Sequence, residues 1–285
     1  MNREIDLTHG LDTSQVPQNY IRFGKFSESD RPTDCTHCSN CESCSDCGYY
    51  FNSRRFGLYL HERIAPTPPE SEVTARIPFR QGVVDMSNLL GNRIYNNREI
   101  TFVFYRFGVQ KNISSTARDF QTTIENLLMR EFDQRLDDSF EPDFHYVGKC
   151  KEVLVTDEYH RNRLRVEITF DLYPFKIDNH MESADLFDAF NFDIDAFQRI
   201  EHGLSFNVSG TTTIKLYNSG QKVLTPTVHV SGGDVTLTCE RTVCRLEEDS
   251  SRQYPGFRML LGMNIVTLSV SGAATVNFDW RKERI

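Results

Sequence analysis

Five cysteines are the residues of this chain whose type and spacing most clearly allow a chemical site. They recur at every third position in the segment DCTHCSNCESCSDCG, as Cys35, Cys38, Cys41, Cys44 and Cys47. A thiolate pair at C-x-x-C spacing can hold one edge of a tetrahedral metal ion, and two pairs complete a structural zinc site. Four of the five cysteines, with His37 as a further ligand, therefore form a candidate zinc site.

This cysteine ladder, residues 35–47, leaves other interpretations open. Two C-x-x-C units are normally separated by a longer gap, which lets the second pair face the first, so a continuous ladder is geometrically tight. A flexible cysteine-rich loop is an equally direct interpretation. An iron–sulfur cluster is a third, although the bacterial run ends C-x3-C-P and this one does not, and disulfides are a fourth. The ladder indicates metal binding more than catalysis.

Other catalytic patterns are absent from the sequence. The eight histidines are scattered without an H-E-x-x-H pair, and no G-x-S-x-G elbow or glycine-rich phosphate loop occurs. Carboxylates such as Asp185 and Asp188 can in principle serve a glycosidase, but in an acidic segment they are better interpreted as a solvated charge run. His229, between Val228 and Val230, is expected to face solvent on a strand. Cys150, Cys239 and Cys244 are expected to be ordinary core or strand residues. We therefore predict that the protein is not an enzyme.

Composition narrows the remaining classes. The 285 residues carry a formal net charge of −8, which argues against a general nucleic-acid binder. No apolar run is long enough to cross a membrane, and the first twenty residues lack the apolar region of a signal peptide. We expect synthesis in the cytosol and no membrane insertion.

The elements of the N-terminal part are predicted to be two strands, a helix and a hairpin. Strands are expected at 56–60 and 100–104, with a proline-stiffened stretch between them. Thr116 and Asp119 fit a capping box for a helix of about 20 residues, in which apolar residues up to Phe132 recur at helical spacing. The hairpin is expected from residues 145–155 and 164–175, and its second arm alternates with a period of two.

The C-terminal part is predicted to be all β. Short strands separated by Ser-Gly-type turns indicate a β-sandwich, with strands at 212–216, 227–230, 235–239, 265–270 and 274–280. The overall prediction is a mainly β chain with one prominent helix. It comprises an N-terminal β-sandwich domain with a covering helix and a hairpin (1–176), an acidic connector (177–203) and a C-terminal β-sandwich domain (204–285).

Several short segments carry a family resemblance through their order and spacing. They are Phe23-Gly-Lys-Phe-Ser27, Phe56-Gly-Leu-Tyr-Leu60, Ile64-Ala-Pro66, Arg76-Ile-Pro-Phe-Arg-Gln-Gly82 with Val84-Asp85, Tyr95-Asn-Asn-Arg98, Ile100-Thr-Phe-Val-Phe104, the helix from Thr116, and Phe170-Asp-Leu-Tyr-Pro-Phe-Lys176. Residues 20–176 thereby resemble the distal tail proteins, or Dit family, of long-tailed, siphovirus-type bacteriophages and prophages. The C-terminal part resembles them more loosely, through Tyr217-Asn-Ser-Gly220, Pro226 and Leu261-Gly-Met-Asn264.

The resemblance implies a structural role in a virion, at the tip or baseplate of a phage tail. Six copies of the N-terminal domain would form a hub ring that continues the tail tube and leaves a channel for DNA. The C-terminal domain would be a galectin-like β-sandwich that points outward. The implied partners are the tail tube protein, the tail-associated hub protein, the tape-measure protein and the receptor-binding or adsorption proteins. The acidic net charge suits a channel wall through which DNA passes without binding.

One segment departs from the family pattern. The family usually passes directly from the F-G-K-x-S turn to the G-L strand, whereas here residues 28–55 intervene and carry the whole ladder. Zinc would then staple an insertion of the ring domain. The alternative function is a glycan-binding module, in which the C-terminal sandwich recognises the host surface. Such a site usually needs an aromatic side chain for stacking, but the alternation around Trp280 predicts that this residue belongs to the core.

Overall fold

The computed structural model describes most of the chain. The described residues are 19–25, 49–72, 74–76, 79, 81–82, 84–85, 93–107, 113–179, 204–239 and 242–285. The chain divides into two compact units. The first unit comprises residues 1–67, 97–142 and 147–173, and the second comprises residues 68–96, 143–146 and 174–285.

The described elements are mainly strands, as the sequence predicts. In chain order the first half contains β1 (Ile21–Lys25), β2 (Tyr49–Asn52), a 3-10 helix (Ser53–Phe56), β3 (Tyr59–Ile64), β4 (Thr74–Ala75), β5 (Val84–Asp85), β6 (Arg98–Phe107), α1 (Ile113–Leu128) and β7 (Gln134–Asp138). The second half contains β8 (Phe144–Glu158), a 3-10 turn (Tyr159–Arg161), β9 (Arg163–Leu172), β10 (Lys176–Asp178), β11 (Ser205–Asn218), β12 (Thr227–Ser231), β13 (Val235–Cys239), β14 (Thr242–Leu246), β15 (Ser251–Gln253), β16 (Gly262–Asp279) and β17 (Glu283–Arg284). Among the described residues, α1 is the one α-helix.

The first unit is built on one sheet with the strand order β2-β1-β7-β8-β9-β6-β3. The predicted hairpin is confirmed, because β8 and β9 pair antiparallel from Gly148 opposite Leu172 to Glu158 opposite Arg163. The predicted alternation of β9 is also confirmed: its even-numbered residues are buried and its odd-numbered residues are partly exposed. Such alternation is the mark of a sheet with one covered face.

Phenylalanine rings fill the core of the first unit. The rings of Phe23 and Phe102 lie 5.0 and 6.0 Å from that of Phe170, so β1, β6 and β9 meet in one aromatic cluster. Helix α1 adds Ile124 and Leu128, which have no exposed surface. Large rings bury much apolar area per residue, which suits a thin β structure.

The predicted boundaries of the helix are wrong at both ends. It begins at Ile113, so Thr116 lies inside the first turn instead of capping it, and it ends at Leu128. Phe132 lies beyond the helix and is 73% exposed. Asp137 and Asp138, taken from the sequence as a stop signal, belong to strand β7, which pairs with β1. Charged partners explain the error: Arg135 lies 2.8 Å from Asp137 and Arg63 lies 2.5 Å from Asp138, so both carboxylates are stable in a strand.

The predicted strand at 56–60 is also shifted. Phe56 closes the 3-10 helix, and Gly57 ends that helix with a φ of 62°, a left-handed conformation that glycine adopts at little cost. The strand therefore starts at Tyr59. Asn52 caps the same short helix by accepting a hydrogen bond from the backbone N–H of Arg54 at 3.0 Å.

The second unit is organised by one long strand. β11 pairs with β16 over almost its whole length. Along the opposite edge of β16, β13 pairs with residues 266–270 and β12 with residues 275–279. The sequence instead predicted two strands, 265–270 and 274–280, separated by a turn at Ser271 and Gly272. That turn does not form, because β16 continues through it with the same face buried on both sides. The side chains of both halves share one core cluster, and β16 is the central strand of a six-stranded sheet.

Candidate functional site

The cysteine ladder lies outside the described residues. Its five cysteines and His37 fall within residues 26–48, so the zinc prediction is not tested here. Asp185 and Asp188 lie outside the described residues as well. Within the described ranges, no group of three histidine, cysteine or acidic side chains is arranged to hold a metal ion.

The three other cysteines behave as the sequence predicts. Cys150 and Cys239 are buried and Cys244 is half-buried, and all three are free thiols. Burial raises the pKa of Cys150 to about 12. A thiol with such a pKa is protonated at neutral pH and is a poor nucleophile or metal ligand. These residues are part of the packing.

A histidine–carboxylate pair is the closest approach to catalytic geometry in the described residues. A ring nitrogen of His229 on β12 lies 2.8 Å from Oδ2 of Asp279, at the end of β16. His229 is half-exposed, which agrees with the solvent-facing position predicted for it. No serine or cysteine of the described structure hydrogen-bonds to His229, so the pair lacks the nucleophile of a catalytic triad.

The second unit contains a polar cavity that the sequence did not predict. It has a volume of about 670 Å³ and is lined by residues 222–225, 227, 253, 258, 279–281 and 283, together with Ile177. The walls come from strands β10, β12, β15, β17 and the end of β16, and from the loops at residues 222–225, 254–261 and 280–282. Volumes of this order are typical of sites for small ligands, about 300–1,000 Å³.

Two cations of the cavity wall are held by partners within the unit. Lys222 forms a 3.0 Å ion pair with Glu283. Arg281 donates hydrogen bonds to the backbone oxygens of Asp178 and Asn179. The buried Lys282 lies next to this wall, and its pKa falls to about 8 because burial disfavours its charged form and Arg284 is nearby. The wall therefore combines paired charges with polar groups.

Trp280 is buried, as its alternation predicts. Only 7% of the residue is exposed, and it belongs to the core cluster of the sandwich. Its ring face is therefore closed to a stacking ligand. Its indole N–H has no hydrogen-bond partner in the described part of the chain, and the same holds for Oδ1 of the neighbouring Asp279.

The first unit carries apolar side chains at both ends of β7. The β7-entry surface consists of Met129 and Phe132, which are 45% and 73% exposed; the β7-exit surface consists of Phe140, which is 48% exposed. Five strand residues separate the two surfaces, a length of about 16 Å at 3.3 Å per residue. Grouped apolar side chains on a surface are typical of protein contact sites.

The strands and the helix of the two units are arranged as in a known protein structure. The fold is similar to that of a phage protein. The match is to the crystal structure of Dit from SPP1, described as a paradigm of the hub adsorption apparatus in phages that infect Gram-positive bacteria. It covers 80% of this chain and 94% of that one, with a TM-score of 0.52 and 13% sequence identity. No protein-family model matches this sequence, and no curated protein does.

The match extends over both units. A TM-score of 0.52 at 13% identity establishes a Dit-like fold, which agrees with the resemblance of residues 20–176. Of the residues singled out in the sequence, the structure places His229 and Trp280 close to the cavity. The cavity itself was missed because Ile177, Lys222 and Gln253 are far apart in sequence and converge only in the folded structure.

Proposed function

We propose that this protein is a structural component of a phage tail tip, in which it forms the hub ring. The single observation that carries this proposal is the Dit-like fold over 80% of the chain. The proposed ring contains six copies and leaves a central channel. DNA passes through that channel without specific binding, and the net charge of −8 supports this, since binding would require phosphate-neutralising cations.

The first unit is the proposed ring-forming part. A head-to-tail ring needs two different surfaces on each copy, because the contact is heterologous. The β7-entry and β7-exit surfaces satisfy this requirement, since their exposed apolar side chains lie at opposite ends of one strand. Contact between the entry surface of one copy and the exit surface of the next would bury both.

The remaining partners follow from the same role. The ring would join the tail tube protein to the tail-associated hub protein, with the tape-measure protein inside the tube. The second unit, a galectin-like β-sandwich, would carry receptor-binding or adsorption proteins. The protein would be made in the host cytoplasm and would end in the virion. No helix among the described residues is long and apolar enough to cross a membrane.

Electron microscopy of the purified chain tests the ring. We expect six-fold rings with a central hole and a mass of about six times the 33.0 kDa of one chain. A chain that remains monomeric at the highest soluble concentration would contradict the proposal.

The cysteine ladder is proposed to bind structural zinc as a staple of the 28–55 insertion. Metal analysis of protein purified without added metal should give close to one zinc per chain, and replacement of Cys38 and Cys41 by serine should abolish it. Replacement of Cys150 by serine is the matched control, because that thiol is buried among the strands. Less than about half an equivalent of zinc or iron in the unaltered protein would exclude the site.

A second candidate function is recognition of a host-surface glycan by the second unit. The observation that favours it is the polar cavity of about 670 Å³, lined by Lys222, Gln253 and Arg258 among others. Binding of the intact chain to purified host cell-wall polysaccharide tests this function independently of ring formation.

A further inference from the structure

A two-stranded arm of the second unit carries a phenylalanine that is open to solvent. The arm consists of β4, β5 and the loop between them, residues 74–85. Phe79 lies in that loop, and its side chain is fully exposed. A single exposed apolar side chain is common on protein surfaces and does not by itself mark a contact. Three further features of the arm distinguish Phe79.

The backbone of Phe79 adopts a conformation that phenylalanine avoids. Its φ is 66°, in the left-handed region, where the Cβ atom of a bulky residue crowds its own backbone. Such a conformation persists where surrounding structure imposes it. The described part of the loop offers no such packing, since Phe79, Gln81 and Gly82 are all exposed.

The arm is held at its base but not at its end. β4 pairs with β5, and the described structure contains no third strand beside them. An isolated two-stranded ribbon is marginally stable in water. At the base, Glu70 and Tyr95 form a bridge, and the ring of Tyr95 packs edge-to-face on that of Phe175 at 5.8 Å. An arm with a fixed base and an unsupported end is suited to a contact outside its own chain.

The end of the arm is basic, whereas the whole chain is acidic. Between Ala75 and Val84 the charged residues are Arg76 and Arg80, while the chain carries a net charge of −8. Arg76 is exposed and has no ion-pair partner among the described residues.

This composition favours a second copy of the same chain as the partner. Aromatic and arginine side chains are enriched at protein–protein contacts, and opposite charges promote association. An acidic neighbour of identical sequence supplies the opposite charge. A ring of identical copies also requires contacts between two different surfaces of each copy, which an arm and its docking site provide.

We propose that the 74–85 arm of one copy docks on a neighbouring copy of this chain, with Phe79 as the apolar anchor and Arg76 and Arg80 facing acidic side chains of that neighbour. The neighbour would supply the packing that the left-handed backbone of Phe79 lacks. This inference rests on the proposed hub ring and adds a second contact to the one between the two β7 surfaces.

Site-specific photocrosslinking of the intact, purified chain tests the contact. Phe79 is replaced by p-benzoylphenylalanine, an aromatic residue that bonds to nearby C–H groups under ultraviolet light. We expect covalent dimers and larger oligomers. Mass spectrometry of mixed unlabelled and isotope-labelled chains should show that the new bond joins two different copies. The same replacement at Val243, which is 65% exposed on β14 of the same unit, is the matched control and should give few dimers.

Two variants separate the contact from folding. Phe79→Gly removes the side chain and relieves the left-handed backbone, so the free energy of unfolding should not fall. The protein concentration at half-assembly, from light scattering, should nevertheless rise at least about tenfold, because the contact loses its anchor. Arg76→Gln should reduce the weakening of assembly by added salt, since salt screens the paired charges. Val243→Ser should change none of these quantities.

The outcomes distinguish this contact from the ring itself. Rings that form no covalent dimers through position 79, or that keep the same half-assembly concentration in Phe79→Gly, overturn the arm contact and leave the hub ring standing. Equal dimer yields from positions 79 and 243 overturn the arm contact as well, since they indicate random collisions. Specific dimers from a chain that forms no six-fold ring support the arm contact and contradict the ring. The absence of both rings and dimers overturns both proposals.

Discussion

At the scale of single residues, the close approach of β8 and β9 depends on a glycine. A Cβ placed on Gly148 would lie 2.2 Å from the backbone oxygen of Asp171 and 2.7 Å from the Cα of Leu172. Both neighbours are backbone atoms of the adjacent strand, so a side chain cannot be accommodated by rotating another one. The hairpin that supports the first unit therefore requires the absence of a side chain at this position.

Gly148→Ala should destabilise the protein by about 1–3 kcal/mol or more, because the strands must separate locally to admit the methyl group. The free energy of unfolding, from urea denaturation followed by circular dichroism, measures the effect. Gly272→Ala is the matched control: a Cβ there meets no atom within 4 Å, so the change should be within about 0.5 kcal/mol. Equal effects of the two substitutions would contradict this account.

A buried hydrogen bond in the first unit is sensitive to alkaline pH. The hydroxyl of Tyr49 donates to Oδ2 of Asp137, and desolvation, followed by the effects of that carboxylate, raises the pKa of Tyr49 to about 12. The folded-state pKa thus exceeds the value of about 10 expected in the unfolded chain. The stabilising contribution is complete below about pH 10 and is lost as pH rises through about 12.

Tyr49→Phe should lower the free energy of unfolding by about 1–3 kcal/mol at neutral pH, because Asp137 loses a donor while it stays buried. The gap between this variant and the unaltered protein should close as pH rises from about 10 towards 12. Urea denaturation at a series of pH values measures it, with Tyr217→Phe on β11 as the control. A gap that stays constant over this range would show that the hydroxyl is not the titrating group.

At the scale of elements, helix α1 contributes to the first unit mainly through one buried face. Ile124 and Leu128 are fully buried, and Phe120 packs edge-to-face on Phe56 at 6.5 Å. In addition, Gln121 donates a hydrogen bond to the backbone oxygen of Val153 on β8. The helix is therefore fixed to the sheet by packing and not by its own propensity, as is usual for helices of this length.

Ile124→Ala should cost about 2–5 kcal/mol, the range for truncating a fully buried aliphatic side chain. Thr122→Ala, on the exposed face of the same helix, should change stability by no more than about 0.5 kcal/mol. Thermal unfolding of the two variants under identical conditions compares them. A small effect of Ile124→Ala would mean that the helix is not part of the cooperative core.

The sequence predicted the presence of most strands and of the helix more accurately than it predicted their first and last residues. Alternation identified β9 because its buried face is purely apolar, and the same logic placed Trp280 in the core. The sequence pattern failed for β7, because Asp137 and Asp138 looked like a helix stop. In the structure Arg135 pairs with Asp137, and Arg63, which is distant in sequence, pairs with Asp138. The sequence pattern also divided β16 at Ser271 and Gly272, since local turn residues carry no information about a strand that continues between two partners. Strands β14 and β15 were missed because they are short edge strands, and β15 is exposed throughout.

At the scale of the whole molecule, the hub proposal places the β7-entry surface of one copy against the β7-exit surface of the next copy. Phe132 on the entry surface is a large side chain with little contact inside its own chain, as its 73% exposure indicates. Its removal should therefore leave folding intact and affect assembly alone.

The cavity belongs to the other unit, and its residues could not be grouped from the sequence because they meet only through tertiary contacts.

Phe132→Ser should shift the purified chain from rings to monomers, with an unchanged circular dichroism spectrum, because the ring contact loses its apolar anchor. Leu154→Ser is the control, since Leu154 is 46% exposed on β8 in the same unit but outside both β7 surfaces. Light scattering after size exclusion measures the masses. Rings that persist in Phe132→Ser and dissociate in Leu154→Ser would place the contact elsewhere.

The continuity of β16 has a consequence for how the second unit opens. The two halves of the strand pair with different strands, β13 and β12, but are joined by unbroken backbone, and β11 pairs with both. Neither half of the sheet can detach without breaking hydrogen bonds along a strand that the other half also uses. The sandwich should therefore exchange its amide hydrogens as a single cooperative block. Force applied to either half of the sheet would therefore load the whole second unit.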